Sequence, residues 1–267
     1  MQSLQEIEAG AGIHNLPVTV ATTTPELAHT FWYLLIGKGY PSPNQQMRWC
    51  TDRLKIQPTS RYIREQVAAN GAAIILLGVR SNESEVRRRR IDSYQNYADS
   101  NLSPHNSLVG AYIYRPIVEL TTDEVWELLS SFAPAWGGDN SRLVKLYRDA
   151  AGGECPIVLS QEDAPGCGTN SSRFGCWTCT VVEKDRSLQG FVDSGNVQYA
   201  PLIVFRDWLK EIRNDQTLRL SRRRSGKITV ANGRLVPGPF TVAARQMILQ
   251  RLQATEKAYG ESLISDA

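Results

Sequence analysis

The sequence holds few of the groups from which common catalytic sites are built. Histidine occurs three times in 267 residues, at His14, His29 and His105, and these form no spaced cluster. No G-x-x-x-x-G-K-[ST] string is present, so a Walker-type phosphate loop is excluded. The apolar run from Phe31 to Ile36 is far too short to span a bilayer. The opening residues, Met1 to Glu8, show neither the basic nor the apolar region of a signal peptide. Low-complexity tracts and internal repeats are lacking, and the charge excess is only +3, from 30 Lys+Arg against 27 Asp+Glu. Composition therefore demands neither a membrane nor a nucleic-acid partner. It leads us to expect a cytoplasmic globular chain, long for one domain and short for two.

Cysteine is also scarce, with five in the chain, but four of them fall in one loop-rich segment: Cys155, Cys167, Cys176 and Cys179, spaced C-x11-C-x8-C-x2-C. Disulfides belong to oxidising compartments and to small domains without a core, and 267 residues can build a core without such staples. In a reduced setting the cluster reads as metal or iron–sulfur ligation. Gly166, Gly168 and Gly175 flank the thiols and let the backbone bring them together. Zinc usually takes two short Cys pairs, whereas only Cys176 and Cys179 form one here. Uneven spacing of four thiolates suits a [4Fe–4S] cluster as well. Zinc and iron–sulfur both stand, beside the bland reading of unrelated thiols.

Arginine is bunched at Arg87 to Arg90, and again at Arg219 and Arg222 to Arg224. Guanidinium groups offer bidentate forks for phosphate, although a solvated helix face, with Glu85 to Arg89 as an i,i+4 pair, explains the first run equally well.

The hydrophobic pattern predicts an α/β chain. Pro17 to Ala21 reads as a short buried strand, and Thr24-Pro25 as the start of a helix carrying Leu27, Phe31, Leu34 and Leu35. A helix is expected from about 52 to 69, followed by a buried parallel strand at Ala72 to Leu77. That strand ends at Gly78-Val79-Arg80, where an open α/β sheet places its ligand and where Arg80 and a helix N-terminus near Asn82 would face an anion. Residues 100–110 read as loop, Tyr112 to Val118 as extended chain, and Thr122-Asp123-Glu124 as a helix cap. Further helices are expected at 139–150, 201–213 and 239–258, with a hairpin turning at Asn232-Gly233. Three regions follow: 1–135 as an α/β region, which the resemblance described next implies is a truncated nucleotide-binding domain, 136–198 for the cysteine segment, and 199–267 as a helical region.

Three stretches then carry a resemblance: Arg48-Trp49-Cys50-Thr51-x-x-Leu54-Lys55-x-x-Pro58, Gly78-x-Arg80-x-x-Glu83-Ser84-x-x-Arg87, and Arg115-Pro116-Ile117 followed by Thr122-Asp123-Glu124-Val125-Trp126. In this order they resemble the phosphoadenosine-phosphosulfate reductase superfamily of PP-loop ATP pyrophosphatases. With the four-cysteine segment and Gly238-Pro239-Phe240-Thr241, the whole chain is similar to the sulfurtransferase family of bacterial DNA phosphorothioation systems. The resemblance implies a Rossmann-like layer, a parallel sheet with flanking helices, then the cysteine segment and C-terminal helices. It also implies a [4Fe–4S] cluster on Cys155, Cys167, Cys176 and Cys179, together with ATP and magnesium. Its implied partners are DNA, a cysteine desulfurase and the other subunits of the phosphorothioation complex. The family's Ser-Gly-Gly-x-Asp-Ser phosphate loop is not in the sequence, so the layer is expected to be incomplete and the chain a fragment inactive alone. A phosphosulfate or adenylyl-sulfate reductase, or a non-catalytic docking module bearing the cluster, are the alternatives.

Within that resemblance, ATP activates a DNA phosphate oxygen and a persulfide sulfur displaces it. Arg80 and Arg87 are the expected phosphate clamps, joined by Arg48, Lys55, Glu83 and Ser84. Cys50 precedes a helix and has Arg48 and Arg53 nearby, a setting that lowers a thiol pKa and suits a persulfide carrier. That reading is favoured over a small buried residue, and a cluster ligand in place of Cys155 is the third. Trp177, between two thiols, is expected to shield the cluster, and Trp49 and Tyr62 are candidates for stacking on adenine.

Overall fold

The computed structural model describes residues 2–83, 85–92, 102–150, 174–231 and 233–264. The chain is a mixed α/β protein in which two compact units are interleaved. One comprises residues 1–23, 59–148 and 154–171, and the other 24–58, 149–153 and 172–267.

In the first unit, helix α1 (Gln2–Ile13) is followed by coil. The segment Pro17 to Ala21 is coil and largely exposed, with no ladder partner among the described residues, so the expected buried strand does not form. Strand β1 (Ala73–Leu76) pairs parallel with β3 (Ala111–Tyr114), and β2 (Leu102–Pro104) pairs antiparallel on the other side of β3. The β1 register continues through Leu77, whose amide donates to the Tyr114 carbonyl at 2.9 Å, and Ser81 donates to Val118 at 2.8 Å.

The expected layer of parallel strands is thus one parallel pair with an antiparallel edge. A strand enclosed on both faces needs cover on both. Here Ala73 and Ile75 are half-buried while Ile74 and Leu76 are 62% and 67% exposed, so only one face of β1 is packed within the unit. Beyond the sheet lie α4 (Glu85–Asp92), α5 (Thr122–Ser131) and α6 (Ser141–Ala150). The cap of α5 sits one residue earlier than expected. Thr121 accepts from the Glu124 amide at 3.2 Å, and the Glu124 carboxylate accepts from the Thr121 amide at 2.7 Å, closing a capping box.

The second unit is built on α8 (Ala200–Ile212) and α9 (Val242–Tyr259). Phe205 and Leu209 recur one turn apart on α8, as do Ala244, Ile248 and Leu252 on α9. These five residues join Leu35 and Phe240 in one buried cluster. The i,i+4 spacing places each set on one helix face, and each fully buried aliphatic side chain contributes about 1.5–3 kcal/mol. Helix α9 opens on Thr241, whose hydroxyl accepts from the Ala244 amide, and closes on Gly260 at φ +86°, a left-handed stop that suits glycine. Between the two helices, β4 (Thr229–Ala231) and β5 (Arg234–Val236) form the expected hairpin.

Residues 24–58 belong to this unit. Their helical segment does not start at Thr24-Pro25. A 3-10 turn at Leu27–His29 comes first, with Glu26 giving no side-chain cap, and a π-helical turn follows at Tyr33–Gly37. Helix α2 (Trp49–Thr51) then leads through a second π-helical turn, Asp52–Ile56, into α3 (Gln57–Asn70). Helix α7 (Arg186–Asp193) follows the cysteine segment, whose described part from 174 to 182 is turn and coil.

Candidate functional site

Two segments far apart in sequence meet in the second unit. The first is the loop from Tyr40 to Cys50, and the second runs from Cys176 to Glu183. Their junction is direct: the Thr180 hydroxyl, 1% exposed, donates to the Pro43 carbonyl at 2.7 Å. Arg213 bridges the same point, donating from one Nη to Pro43 and Thr180 carbonyls at 2.9 and 3.0 Å. Helix α8 anchors both segments. From its interior Arg206, fully buried, donates to the carbonyls of Cys179 (2.8 Å), Glu183 (2.8 Å) and Val182, while the Ser42 hydroxyl donates to the Leu209 carbonyl at 3.2 Å.

This framework gathers thiols. Cys176 and Cys179 close a tight turn in which the Cys179 amide donates to the Cys176 carbonyl at 2.8 Å. Cys50, Cys176 and Cys179 are all free thiols, the first and last half-buried and Cys176 exposed. Cys50 stands close enough to the other two to feel their charge. Burial pushes its thiol above the usual range, hydrogen bonds from Thr51 draw it back, and the Cys179 and then the Cys176 sulfurs raise it again. The expected low-pKa thiolate is therefore reversed. Arg53, one of the cations on which that expectation rested, is paired with Asp52 at 3.5 Å and contacts His29 Nε2 at 3.1 Å.

The reversal has a measurable consequence. In the reduced, metal-free chain, Cys50 should alkylate with iodoacetamide more slowly at neutral pH than an exposed cysteine, because the thiolate is the nucleophile. Its rate should rise through a midpoint above the ordinary thiol value, read by peptide mapping. A midpoint below that value would restore the activated-thiolate reading.

Aromatic residues next to the thiols in sequence pack on one another. Trp177, inside the C-x2-C turn, lies 6.0 Å from Trp32 and 5.8 Å from Phe205 between ring centroids. Trp49, next to Cys50, stacks on Phe31 at 5.4 Å and meets Tyr40 edge-on at 5.8 Å. Its indole N–H donates to the Pro41 carbonyl at 2.9 Å, and the side chain is 8% exposed. Trp49 is thus occupied as a wall and is not open to stack on adenine.

Among the described residues, no three His, Cys, Asp or Glu side chains form a group that could hold a single metal ion. Cys155 and Cys167 lie outside the described residues, as does Ser84. Arg48 is exposed at the N-terminal flank of α2, and Lys55 is exposed in the turn that follows. In the first unit, Arg80 donates to the Thr122 hydroxyl at 2.9 Å. Glu83 ends a 3-10 turn and Arg87 lies on α4, with the positions of their side chains outside the description. The residues the sequence did not single out are Arg206, Arg213 and Thr180. No motif marks them, because their role is to satisfy backbone carbonyls across gaps of 23 to 170 residues.

Comparison with protein-family models, with curated proteins and with solved structures gives no match.

Proposed function

We propose that this chain is the iron–sulfur component of an ATP-dependent sulfurtransferase acting on DNA phosphate, with Cys50, Cys176 and Cys179 as three ligands of a [4Fe–4S] cluster. The observation that carries the reading is the convergence of Cys50 with the C-x2-C turn. In its support, three free thiols lie on two segments cross-tied through Thr180, Arg213 and Arg206, with Trp32, Trp49, Trp177 and Phe205 packed on the same segments. Soft thiolates select iron–sulfur clusters or zinc.

The bound cluster would supply one-electron or sulfur-exchange chemistry at this face. The chain's own residues hold and shield it. Trp177 and Trp49 exclude water, and Arg206 fixes the backbone that presents Cys179. In this reading Cys50 is a ligand rather than a persulfide carrier, since it is half-buried and feels the Cys179 and Cys176 sulfurs. The persulfide then comes from a cysteine desulfurase. Its outer sulfur forms the P–S bond as AMP leaves the adenylylated phosphate, and a second thiol cleaves the remaining S–S bond, giving a disulfide and the phosphorothioate. Arg80 and Arg87 are assigned to nucleotide phosphate in the first unit. The Ser-Gly-Gly-x-Asp-Ser cradle for ATP is not in this sequence, so the ATP step is assigned to a cradle supplied from elsewhere.

Anaerobic reconstitution with iron and sulfide tests the assignment. The chain should turn brown with thiolate-to-iron charge-transfer absorption, and both Cys176→Ser and Cys50→Ser should lose most of it. Stoichiometric zinc with no iron uptake would sink the cluster, and full iron retention in Cys50→Ser would remove Cys50 from the ligand set.

A further inference from the structure

A second site lies in the same unit and is built from a different chemistry. The Tyr40–Met47 loop, the end of α8 and the strand-like crossing at Pro237–Pro239 enclose a cleft of about 500 Å³. Four guanidinium groups line it, from Arg213, Arg219, Arg223 and Arg224, and no carboxylate does.

Their environments differ in a way that suits a binding site. Arg219 is a fixed strut, donating to the carbonyls of Gly238 (2.6 Å), Arg213 (2.5 Å) and Pro237 (3.3 Å) and lying 5.1 Å over the Phe240 ring. Burial, then the charge of Arg223, push its pKa down to about 10, so it stays cationic at neutral pH. Arg213 is anchored through one Nη, but its buried Nε has no hydrogen-bond partner. Burial lowers its pKa, the Glu183 carboxylate offsets that in part, and Arg206 lowers it further. Arg224 lies 5.3 Å over the Tyr40 ring. The Arg223 side chain is exposed and makes no hydrogen bond or ion pair with the described residues.

We propose that this cleft binds phosphate-ester groups, with Arg223 and Arg224 as the ligand-contacting pair and Arg213 and Arg219 as the fixed positive floor. An anion relieves the mutual repulsion of the four cations, and guanidinium forks match phosphate oxygens. Arg222 and Lys227 extend the charge along the exposed turn that carries Arg223, where the Arg223 amide donates to the Lys227 carbonyl at 2.8 Å. That extension favours a chain of phosphodiesters over a single phosphate. The cleft also shares parts with the thiol site: Arg213 donates to the carbonyl one residue past Cys179, and Tyr40 abuts Trp49, the neighbour of Cys50. A phosphodiester held here is tied by two direct contacts to the frame around the three thiols. The binding itself goes beyond the cluster reading and does not depend on it.

The test is fluorescence anisotropy on the full, metal-free chain with a labelled thymidine oligonucleotide of about 12 nucleotides, with AMP and inorganic phosphate as competitors. The unlabelled oligonucleotide should compete far better than either small anion at equal phosphate concentration. Arg223→Ala should weaken binding roughly tenfold and reduce the salt slope by about one. Arg223→Glu should weaken it further, and Arg223→Lys should restore most of the affinity lost in Arg223→Ala. Competition by AMP or inorganic phosphate as strong as that of the oligonucleotide would keep the phosphate site and overturn the polymeric ligand. Unchanged affinity in Arg223→Glu, or no binding by the wild-type chain, would overturn the site. Because no iron is present, cluster loss cannot produce either result.

Discussion

Arg206→Met should lower the melting temperature of the chain by roughly 10 °C, followed by circular dichroism or calorimetry. Arg206 is fully buried, and its guanidinium serves the carbonyls of Cys179, Val182 and Glu183 in one fork. Methionine keeps much of the volume but donates nothing, so acceptors that gave up water on folding lose their partners. Each such group costs about 1–3 kcal/mol. A total near 3 kcal/mol translates into this shift for a unit of this size. Half of Asp207 is exposed, so its ion pair with Arg206 adds little. The same change should reduce iron uptake, since the Cys179 backbone loses its tether. A fall of less than about 2 °C would show that water replaces the guanidinium and that the fork is dispensable.

Gly238→Ala should be comparably damaging for a steric reason. Gly238 is buried where two backbones cross: its amide donates to Leu220 at 2.6 Å, and Leu220 donates to Pro239 at 2.8 Å. A Cβ at position 238 would collide with the Arg222 carbonyl and come within 2.9 Å of the Leu220 oxygen. Both obstacles are backbone, so no side chain can swing aside. Opening the crossing breaks these hydrogen bonds and the seat of Arg219 on the Gly238 carbonyl. We expect a loss of about 3 kcal/mol together with weaker oligonucleotide binding, because the crossing forms one wall of the cleft. Wild-type stability in Gly238→Ala would mean that the two strands can separate freely.

Local signals in the sequence identified local structure well. The Thr122-Asp123-Glu124 cap signal falls within one residue of the true start of α5, the Asn232-Gly233 pair marks the hairpin turn, and the expected helices at 201–213 and 239–258 match α8 and α9. The sequence misled where burial depends on distant partners. The run Ala72 to Leu77 looks enclosed on both sides, yet Ile74 and Leu76 are exposed because β1 is packed on one face. Pro17 to Ala21 has strand composition but nothing to pair with among the described residues. The placing of Cys50 shows the same divide. Its meeting with the C-x2-C turn could be raised as one option from composition. Its pKa direction could not be read, because arginines nearby in sequence do not reveal that burial and two neighbouring sulfurs outweigh the hydrogen bonds to Thr51.

The tie between Pro43 and Thr180 spans 137 residues, and this has a consequence for biosynthesis. Bacterial and eukaryotic ribosomes add about 5–20 residues per second. The Tyr40–Cys50 loop therefore emerges roughly 7 to 27 s before the segment that completes its site. During that interval Cys50 is a thiol without the neighbouring Cys176 and Cys179, and the cleft lined by Arg213 and Arg219 cannot close. Folding of this unit waits on a segment made long after the loop it holds.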